Sequence, residues 1–351
     1  MNNNIISKDG YPYTGIIKWD MEVVKNNIKK AKKDNSLPDF GLKRVELHPT
    51  SVCQYGCPFC YGVNFKCKQK AELSLKTIEN NIFESIRNNR KLSKSDPIII
   101  LAGLYSEPLA HSDRVELIKL LGKYNFRFGI YTNGGFLSSD VAKAICDSAK
   151  QNRDKRLSYI SFNVVAPLIH GHFNSLKKTL RDFIEMRNSL KAPIQLNIPI
   201  LVDGSLSSGK LEKLQDKLLK IGVDKIRYSV PQVPISNNKI DAKNIKLIKN
   251  LQRKARENVL VRSVSGRQFE HCYVIAHTVS IDHLGYIYPC SQTCSTFFGK
   301  FSYGSVKEKG LTQLWNSKKH KNIFTSFDEI PIYCRCNPTD NQFNTICSAL
   351  Y

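Results

Sequence analysis

Three cysteines in the N-terminal part of the chain are spaced to act together. Cys53, Cys57 and Cys60 form a C-x3-C-x2-C motif, and Gly56 inside it lets the backbone wrap closely around a bound group. Three thiolates can bind three irons of a [4Fe–4S] cube and leave the fourth iron open to another ligand. A closed structural zinc site would use four protein ligands. The motif therefore predicts a cluster with one open iron, with structural zinc or core cysteines as the alternatives.

A second group of cysteines lies near the C-terminal end. The chain has 11 cysteines, an odd number, and a disulfide framework is not expected in a reducing compartment. Soft thiolate ligands in two groups favour zinc or iron–sulfur centres. The C-terminal group consists of Cys272, Cys290, Cys294, Cys334, Cys336 and Cys347.

The elements that must position these cysteines alternate regularly. Short apolar or β-branched runs, each followed by a helical pattern, predict six strand-then-helix units, and such alternation is typical of a parallel sheet with helical crossovers. Polar residues repeatedly follow the strands, at the end where parallel α/β folds build their sites. We therefore expect an α/β fold with a partial (βα)6 TIM-like barrel. The predicted strands are 45–48, 97–102, 127–131, 159–164, 194–200 and 225–230.

The pattern changes after about residue 258, where short strands, aromatics and cysteines dominate. We expect an N-terminal helical extension at 1–40, with a helix over 17–33, and the barrel at 41–258. A small α+β cysteine-rich domain follows at 259–351 and contains a hairpin that turns at Asp282–Gly285.

The three-cysteine loop after the first strand of a partial barrel resembles the defining motif of the radical S-adenosylmethionine (SAM) superfamily, and the resemblance covers roughly residues 40–350. In that family the amino and carboxylate groups of SAM bind the open iron. One electron then cleaves the sulfonium, and the resulting 5′-deoxyadenosyl radical abstracts hydrogen from an unactivated C–H bond. The resemblance also implies a flavodoxin- or ferredoxin-like electron donor.

The same resemblance implies a set of SAM-binding residues. The family's Gly-Gly-Glu-Pro motif, whose acid holds the amino group of SAM, corresponds here to Tyr105-Ser106-Glu107-Pro108. An ammonium beside a carboxylate makes physical sense. The expected cofactor-binding residues are Phe59, Tyr61, Ser106, Glu107, Asn133, Ser161, Asn163 and Asn197.

The C-terminal cysteines resemble the auxiliary-cluster modules called SPASM and twitch. Cys272 followed by Gly285-x4-Cys290 carries this resemblance, but the C-x2-C-x5-C-x3-C run of a full SPASM pattern is missing. One auxiliary [4Fe–4S] cluster of the twitch kind is therefore implied; zinc at this site, or a second cluster involving Cys294 and Cys347, is the alternative. Cys294 is also the candidate catalytic residue, as a thiol that returns a hydrogen atom to a substrate radical. The expected ligands are Cys272, Cys290, Cys334 and Cys336, with Cys347 as a replacement for one of them.

Charge and hydropathy indicate which partners and which cellular location to expect. The net charge is +23, which attracts anionic partners, but the lysines are spread along the chain. No apolar window reaches membrane-spanning length, and the polar N-terminus lacks a signal-peptide core, so we expect no membrane association and a cytoplasmic location.

Members of the radical SAM superfamily with this architecture modify peptides or small carbohydrates. We expect modification of a peptide residue by cross-linking, oxidation or epimerisation. The alternatives are a radical dehydrogenase or epimerase of a sugar or aminocyclitol and, from another class, a basic RNA-modifying or RNA-binding iron–sulfur protein.

Overall fold

The computed structural model describes most of the chain. Four residues singled out above lie outside the described part, namely Phe59, Tyr61, Cys334 and Cys336. The described residues are 19–57, 60, 69–103, 106–152, 157–202, 207–229, 242–253, 259–261, 269–326 and 338–350.

The strands form one ten-stranded sheet in the order β10-β9-β8-β1-β2-β3-β4-β5-β6-β7. Neighbouring strands from β1 to β7 pair in parallel, as the alternation of strands and helices predicts. A seventh parallel strand, β7, follows the six predicted units. The strands are β1 Arg44–Leu47, β2 Ile98–Leu101, β3 Phe128–Thr132, β4 Ser158–Phe162, β5 Ile194–Leu201, β6 Lys225–Ser229, β7 Val259–Val261, β8 Thr278–Ile281, β9 Tyr286–Tyr288 and β10 Gly304–Ser305.

Helices follow most of the parallel strands and cover the outer side of the sheet. The first helix begins at Met21, later than the predicted residue 17, because the Asp20 side chain caps it by accepting from the Glu22 and Val23 amides. The second helical segment changes to π-helix between two short α-helical ends. The helices are α1 Met21–Lys33, α2 Leu75–Thr77 with its continuations Ile78–Glu84 and Ser85–Asn88, α3 Arg90–Ser95, α4 Arg114–Lys123, α5 Ser139–Lys150, α6 Val165–Ile169, α7 Phe173–Ser189, α8 Ser208–Ile221, α9 Ala242–Arg253, α10 Leu311–Leu314, α11 Lys318–Thr325 and α12 Pro338–Leu350.

The two faces of the sheet differ in polarity. On β1, the fully buried Val45 and Leu47 belong to the main apolar core under the helices, so Arg44 and Glu46 point to the opposite, inner face, because side chains alternate along a strand. The inner face has a small apolar cluster of its own around Tyr159. We call the space that these inner-face side chains line the lumen.

The C-terminal segment is part of the same sheet. Strand β8 pairs in parallel with β1, with Val279 opposite Val45, and the hairpin β8–β9 is antiparallel, as predicted. Helix α12 returns to the N-terminal end of the chain, where Phe343 stacks on Trp19 with ring centroids 4.4 Å apart. No helix in the described residues is long and apolar enough to cross a membrane.

Candidate active site

The three N-terminal cysteines lie in the loop after β1. Each is partly exposed and is a free thiol, and the Cys60 amide donates to the Cys57 carbonyl at 3.0 Å, which closes the loop between them. Burial raises the pKa of Cys57 to about 11, and the neighbouring Cys60 and Cys53 add to the rise. Cys57 is thus destabilised as a thiolate by its two neighbouring cysteines, and a bound cationic centre would reduce this cost. Among the described residues no group of three or more His, Cys, Asp or Glu side chains is arranged to hold a metal ion, so ligation of a cluster stays a prediction.

A hydrogen-bonded chain supports the cysteine loop from the neighbouring strands. The carboxylate of Glu107, which is 2% exposed, accepts from the Asn133 amide and from Thr132 Oγ1, both at 2.7 Å. Asn133 Oδ1 in turn accepts from Gln54 Nε2 at 2.7 Å, directly beside Cys53. The ends of β2 and β3 therefore hold the cysteine loop through three side chains.

Glu107 makes hydrogen bonds to backbone amides and to the Thr132 hydroxyl. Besides the two contacts to the end of β3, its carboxylate accepts from the Leu109 amide at 3.2 Å. Burial raises its pKa to about 7, although all three hydrogen bonds lower it. In this structure Glu107 positions Asn133, and its role toward the amino group of SAM stays a prediction.

Aromatic and imidazole rings close one side of the loop. Tyr55 stacks on His170 with ring centroids 4.9 Å apart and an interplanar angle of 14°, and His172 lies 6.1 Å from the same ring. His170 follows the short helix α6 after β4. This stacking connects the cysteine loop to the β4 side of the lumen.

Two fully buried polar side chains on neighbouring strands lack hydrogen-bond partners among the described residues. Ser161 on β4 and Asn197 on β5 are register partners, and they are 1% and 0% exposed. The Ser161 hydroxyl and both amide atoms of Asn197 are without a partner in the described part of the chain. A buried polar group without a partner costs about 1–3 kcal/mol. Such a cost is expected where a polar ligand supplies the missing bonds, so these residues fit a bound SAM.

The other residues expected to bind SAM are Ser106, Asn163, Phe59 and Tyr61. Ser106 Oγ is a buried atom without a partner in the described residues. Asn163 Oδ1 accepts from the Val165 amide at 3.1 Å, which fixes the start of α6. Phe59 and Tyr61 lie outside the described residues.

The C-terminal domain brings Cys272, Cys290 and Cys294 into one region. Cys272 and Cys294 are 4% and 1% exposed, and Cys290 is partly exposed. Burial raises the pKa of Cys294 well above its ordinary value, and the charges of Asp282, Glu46 and Cys290 raise it further. Cys294 therefore lies near the inner-face carboxylate of β1 as well as near Cys290.

Cys347 and Cys146 lie in the apolar core and are fully buried. The pKa of Cys347 is raised by burial. Its role as a replacement cluster ligand stays a prediction, as do the roles of Cys334 and Cys336, which lie outside the described residues.

The structure adds charged residues that the sequence analysis did not single out. Arg44 on β1 donates through Nη2 to Asp340 of α12 at 2.7 Å, and its Nε lies 3.4 Å from Glu46 Oε1. These side chains are only 12–15% exposed. The sequence Arg44-Val45-Glu46-Leu47 alternates charged and apolar residues, and this alternation could have predicted a polar inner face. A parallel strand that helices cover on both faces would be apolar throughout.

Comparison with known proteins supports this organisation. Residues 272–338 match the SPASM family, an iron-sulfur cluster-binding domain. A protein of Pyrococcus furiosus, described as a tungsten-containing aldehyde ferredoxin oxidoreductase cofactor-modifying protein, is 22% identical over 307 residues, which are 80% of this chain and 82% of its own.

Two sets of solved structures share the fold. SuiB of Streptococcus suis bound to SAM superposes with a TM-score of 0.58 at 16% identity, covering 86% of this chain and 70% of SuiB. Its complex with the precursor peptide SuiA gives 0.59 at 14% identity, covering 91% and 76%. The enzyme anSMEcpe with bound SAM and the peptide Cp18Cys gives 0.55 at 14% identity, covering 82% and 84%. The chain thus shares its fold with SuiB and anSMEcpe, and its residues 272–338 match the SPASM iron-sulfur cluster-binding domain.

Proposed function

We propose that this protein is a radical SAM enzyme that cleaves SAM reductively and abstracts hydrogen from an unactivated C–H bond of its substrate. The observation that carries the proposal is the position of the three-cysteine loop. It lies at the carboxyl end of β1, held by Gln54, Asn133 and Glu107. It faces the lumen, in which polar atoms of Ser161 and Asn197 have no hydrogen-bond partner among the described residues.

The residues of this chain divide the work of holding the cofactors. Cys53, Cys57 and Cys60 would bind three irons of the first cluster, and Ser161 and Asn197 would bind polar groups of SAM. When bound, the cluster and SAM supply the 5′-deoxyadenosyl radical, and the protein contributes orientation and the exclusion of water. An auxiliary cluster would be held by Cys272, Cys290 and cysteines of the 334–347 segment. The electron for the first cluster would come from a flavodoxin- or ferredoxin-like donor.

A peptide residue is the substrate that we favour. Two of the proteins that share the fold are bound to peptides in their structures, SuiB to SuiA and anSMEcpe to Cp18Cys. The inner face also offers partly exposed polar side chains below the cysteine loop, including Tyr131, Gln195 and Arg227. These side chains provide hydrogen-bonding groups for a polar residue of the peptide.

Cys294 is proposed as the hydrogen-atom donor if the reaction is an epimerisation. Its raised pKa keeps the thiol protonated, and a thiol must be protonated to return a hydrogen atom. The influence of the Glu46 charge on Cys294 supports this role, because Glu46 belongs to the inner face of β1.

A small polar molecule, such as a sugar or aminocyclitol, is the second candidate substrate. The observation in its favour is that the similar Pyrococcus furiosus protein is described as a cofactor-modifying protein.

The decisive experiment combines iron analysis with product analysis under anaerobic conditions. After reduction with dithionite, the wild-type protein should contain about eight irons, as two four-iron clusters require, and release 5′-deoxyadenosine from SAM. The variant Cys53→Ala/Cys57→Ala/Cys60→Ala should keep about four irons and release none. Cys146→Ala, which removes a buried core thiol, is the matched control and should behave as wild type. Stoichiometric zinc and no 5′-deoxyadenosine in the wild type would overturn the proposal.

The substrate class is tested by adding candidates to the same assay. A peptide substrate should increase 5′-deoxyadenosine release and gain a mass change of its own, whereas sugars and aminocyclitols should do neither. The opposite result would favour the second candidate. Retention of RNA that falls steeply between low and physiological salt would point instead to a nucleic-acid partner.

A further inference from the structure

A buried asparagine on the last helix contacts the first cysteine of the C-terminal group. Asn344 of α12 is fully buried. Its Oδ1 accepts from the Tyr273 amide at 2.7 Å and from the Val274 amide at 3.1 Å. Its Nδ2 lies 3.6 Å from Cys272 Sγ and donates to it.

The two backbone contacts decide which way the amide faces. Oxygen and nitrogen of a side-chain amide are assigned from their hydrogen bonds, and here two N–H donors converge on one atom, which must therefore be the oxygen. A flipped amide would point its NH2 group at both donors. The NH2 group of Asn344 is thus directed at the sulfur of Cys272 whether the sulfur is a thiol or a metal-bound thiolate.

Helix α12 is held firmly enough to fix this donor. The Arg44–Asp340 ion pair joins its first turn to β1 at 2.7 Å, and Phe343, next to Asn344, stacks on Trp19. Both contacts are independent of Cys272, so the position of Asn344 does not depend on the sulfur that it contacts.

A second donor lies beside the same cysteines. Tyr303 is 3% exposed, and its hydroxyl has no hydrogen-bond partner among the described residues. The sulfurs of Cys290 and Cys272 are close enough to act on it electrostatically. The hydroxyl can therefore donate a hydrogen bond toward these two sulfurs.

We propose that Asn344 and Tyr303 donate hydrogen bonds to the sulfurs of an auxiliary iron–sulfur cluster held by Cys272 and Cys290, and that these bonds raise its reduction potential. The inference rests on the proposed function. Hydrogen bonds to cluster sulfurs are among the factors that set the potential, because they stabilise the more negative, reduced form. Asn344 and Tyr303 act through the cysteines and are positioning residues.

The consequence is a reaction class. A cluster with a raised potential suits an electron acceptor rather than a donor. With its cofactors bound, an auxiliary cluster held by Cys272 and Cys290 would supply an acceptor for one electron from a substrate that had already lost one hydrogen atom, and the accompanying proton would leave to solvent. The substrate is oxidised by two electrons in total and gains a double bond or a new bond to a neighbouring atom. Among the peptide modifications considered above, this favours oxidation or cross-linking over epimerisation.

The test measures the potential directly, in a protein that holds only the auxiliary cluster. The Cys53→Ala/Cys57→Ala/Cys60→Ala variant serves as the parent, and its cluster is titrated potentiometrically with detection by electron paramagnetic resonance. Tyr303→Phe removes one donor without changing charge. Asn344→Asp keeps an oxygen for the Tyr273 and Val274 amides but loses the NH2 group. We expect each change to lower the ratio of reduced to oxidised cluster about tenfold at a given potential, a shift of about 59 mV for one electron.

Two controls separate hydrogen bonding from charge and from general damage. Asn341→Asp places a new carboxylate on the same helix at a buried position, without removing the contact to Cys272. Tyr228→Phe removes the hydroxyl of a buried tyrosine that donates to the Leu211 carbonyl in the barrel. Both should leave the potential within a small fraction of the shift seen for Tyr303→Phe.

The outcomes distinguish the inference from the function on which it rests. About four irons in the parent and an unchanged potential in Tyr303→Phe and Asn344→Asp would overturn the inference alone. A shift of equal size in Asn341→Asp would assign the Asn344→Asp effect to charge, and Tyr303→Phe would then decide. No iron in the parent would overturn the auxiliary cluster and the inference with it.

Discussion

Replacing Arg44 with methionine tests whether the ion pairs between β1 and α12 are structurally important. The change keeps an unbranched apolar side chain but removes the guanidinium that lies between two carboxylates. Glu46 and Asp340 would then face each other with side-chain exposures of only 15% and 12%. Burial already raises the pKa of Glu46, Arg44 lowers it and Asp340 raises it again. Without Arg44 the pKa of Glu46 must therefore rise further.

The size of the effect follows from the burial of the pair. Removing one partner of a buried ion pair costs about 3–5 kcal/mol, whereas an exposed pair contributes about 0–1 kcal/mol. Arg44 is 13% exposed and contacts Asp340 at 2.7 Å, so the larger figure applies. We expect Arg44→Met to lose about 3–5 kcal/mol of unfolding free energy at pH 8.

The loss should depend on pH in a definite direction. An acid whose pKa is higher in the folded protein than in the unfolded chain destabilises the fold as pH rises through the folded value, because the unfolded chain ionises more easily. The deficit of Arg44→Met relative to wild type should therefore be smaller at pH 5 than at pH 8. Substituting all three residues, as Arg44→Met/Glu46→Gln/Asp340→Asn, should recover part of the loss at pH 8.

Urea denaturation at the two pH values measures these differences. The matched control is Lys119→Met, which breaks a pair of the same length, 2.7 Å to Glu116, between side chains that are 58% exposed. A loss in Arg44→Met no larger than in Lys119→Met, or a deficit equal at both pH values, would refute the reasoning.

Three further changes probe the first cysteine loop and the lumen. Asn197→Leu should raise the free energy of unfolding by about 1–3 kcal/mol, because it removes a buried amide without partners in the described residues. The same change should weaken SAM binding in equilibrium dialysis. Tighter or unchanged binding would contradict the proposed role of Asn197 in holding SAM. Gly135→Ala should reduce the iron content of the purified protein, because a Cβ there would overlap Gln54 Nε2, while Gly209→Ala, at a helical position with nothing within 4 Å of its Cβ, should retain its iron. Glu107→Gln should lose about 1–3 kcal/mol in urea denaturation, because one amide oxygen cannot replace two carboxylate oxygens as acceptors; unchanged stability would show that the contacts to the end of β3 contribute little.

Much of the sheet could be predicted from local sequence because its strands are buried on both faces or alternate strictly. The run Ile98–Leu101 is apolar throughout and contains three β-branched isoleucines, which is typical of a central parallel strand. The three-residue strand Val259–Val261 has too few residues to show a period. It forms because the edge of β6 is free to pair with another strand. The local sequence of 259–261 contains no pattern that predicts this pairing.

The candidate site was predictable only where the chemistry is local. The cysteine spacing in Cys53–Cys60 is a property of eight consecutive residues, so it was visible in the sequence. Gln54 and Asn133 meet across 79 positions, and Asn344 meets Cys272 across 72. An asparagine or glutamine with a distant partner resembles any surface amide in the sequence, and only the fold shows what it contacts.

The pairing of β8 with β1 has a consequence for how the chain is made. Val45 and Val279 are opposite each other in the sheet, so β1 has no partner on this edge until most of the chain has been synthesised. At about 5–20 residues per second this delay is on the order of 10–50 s. During that time an apolar strand edge is open to pairing with another nascent chain. A molecule built this way should depend on chaperones during synthesis, and a chain truncated before residue 278 should aggregate rather than fold into a smaller barrel.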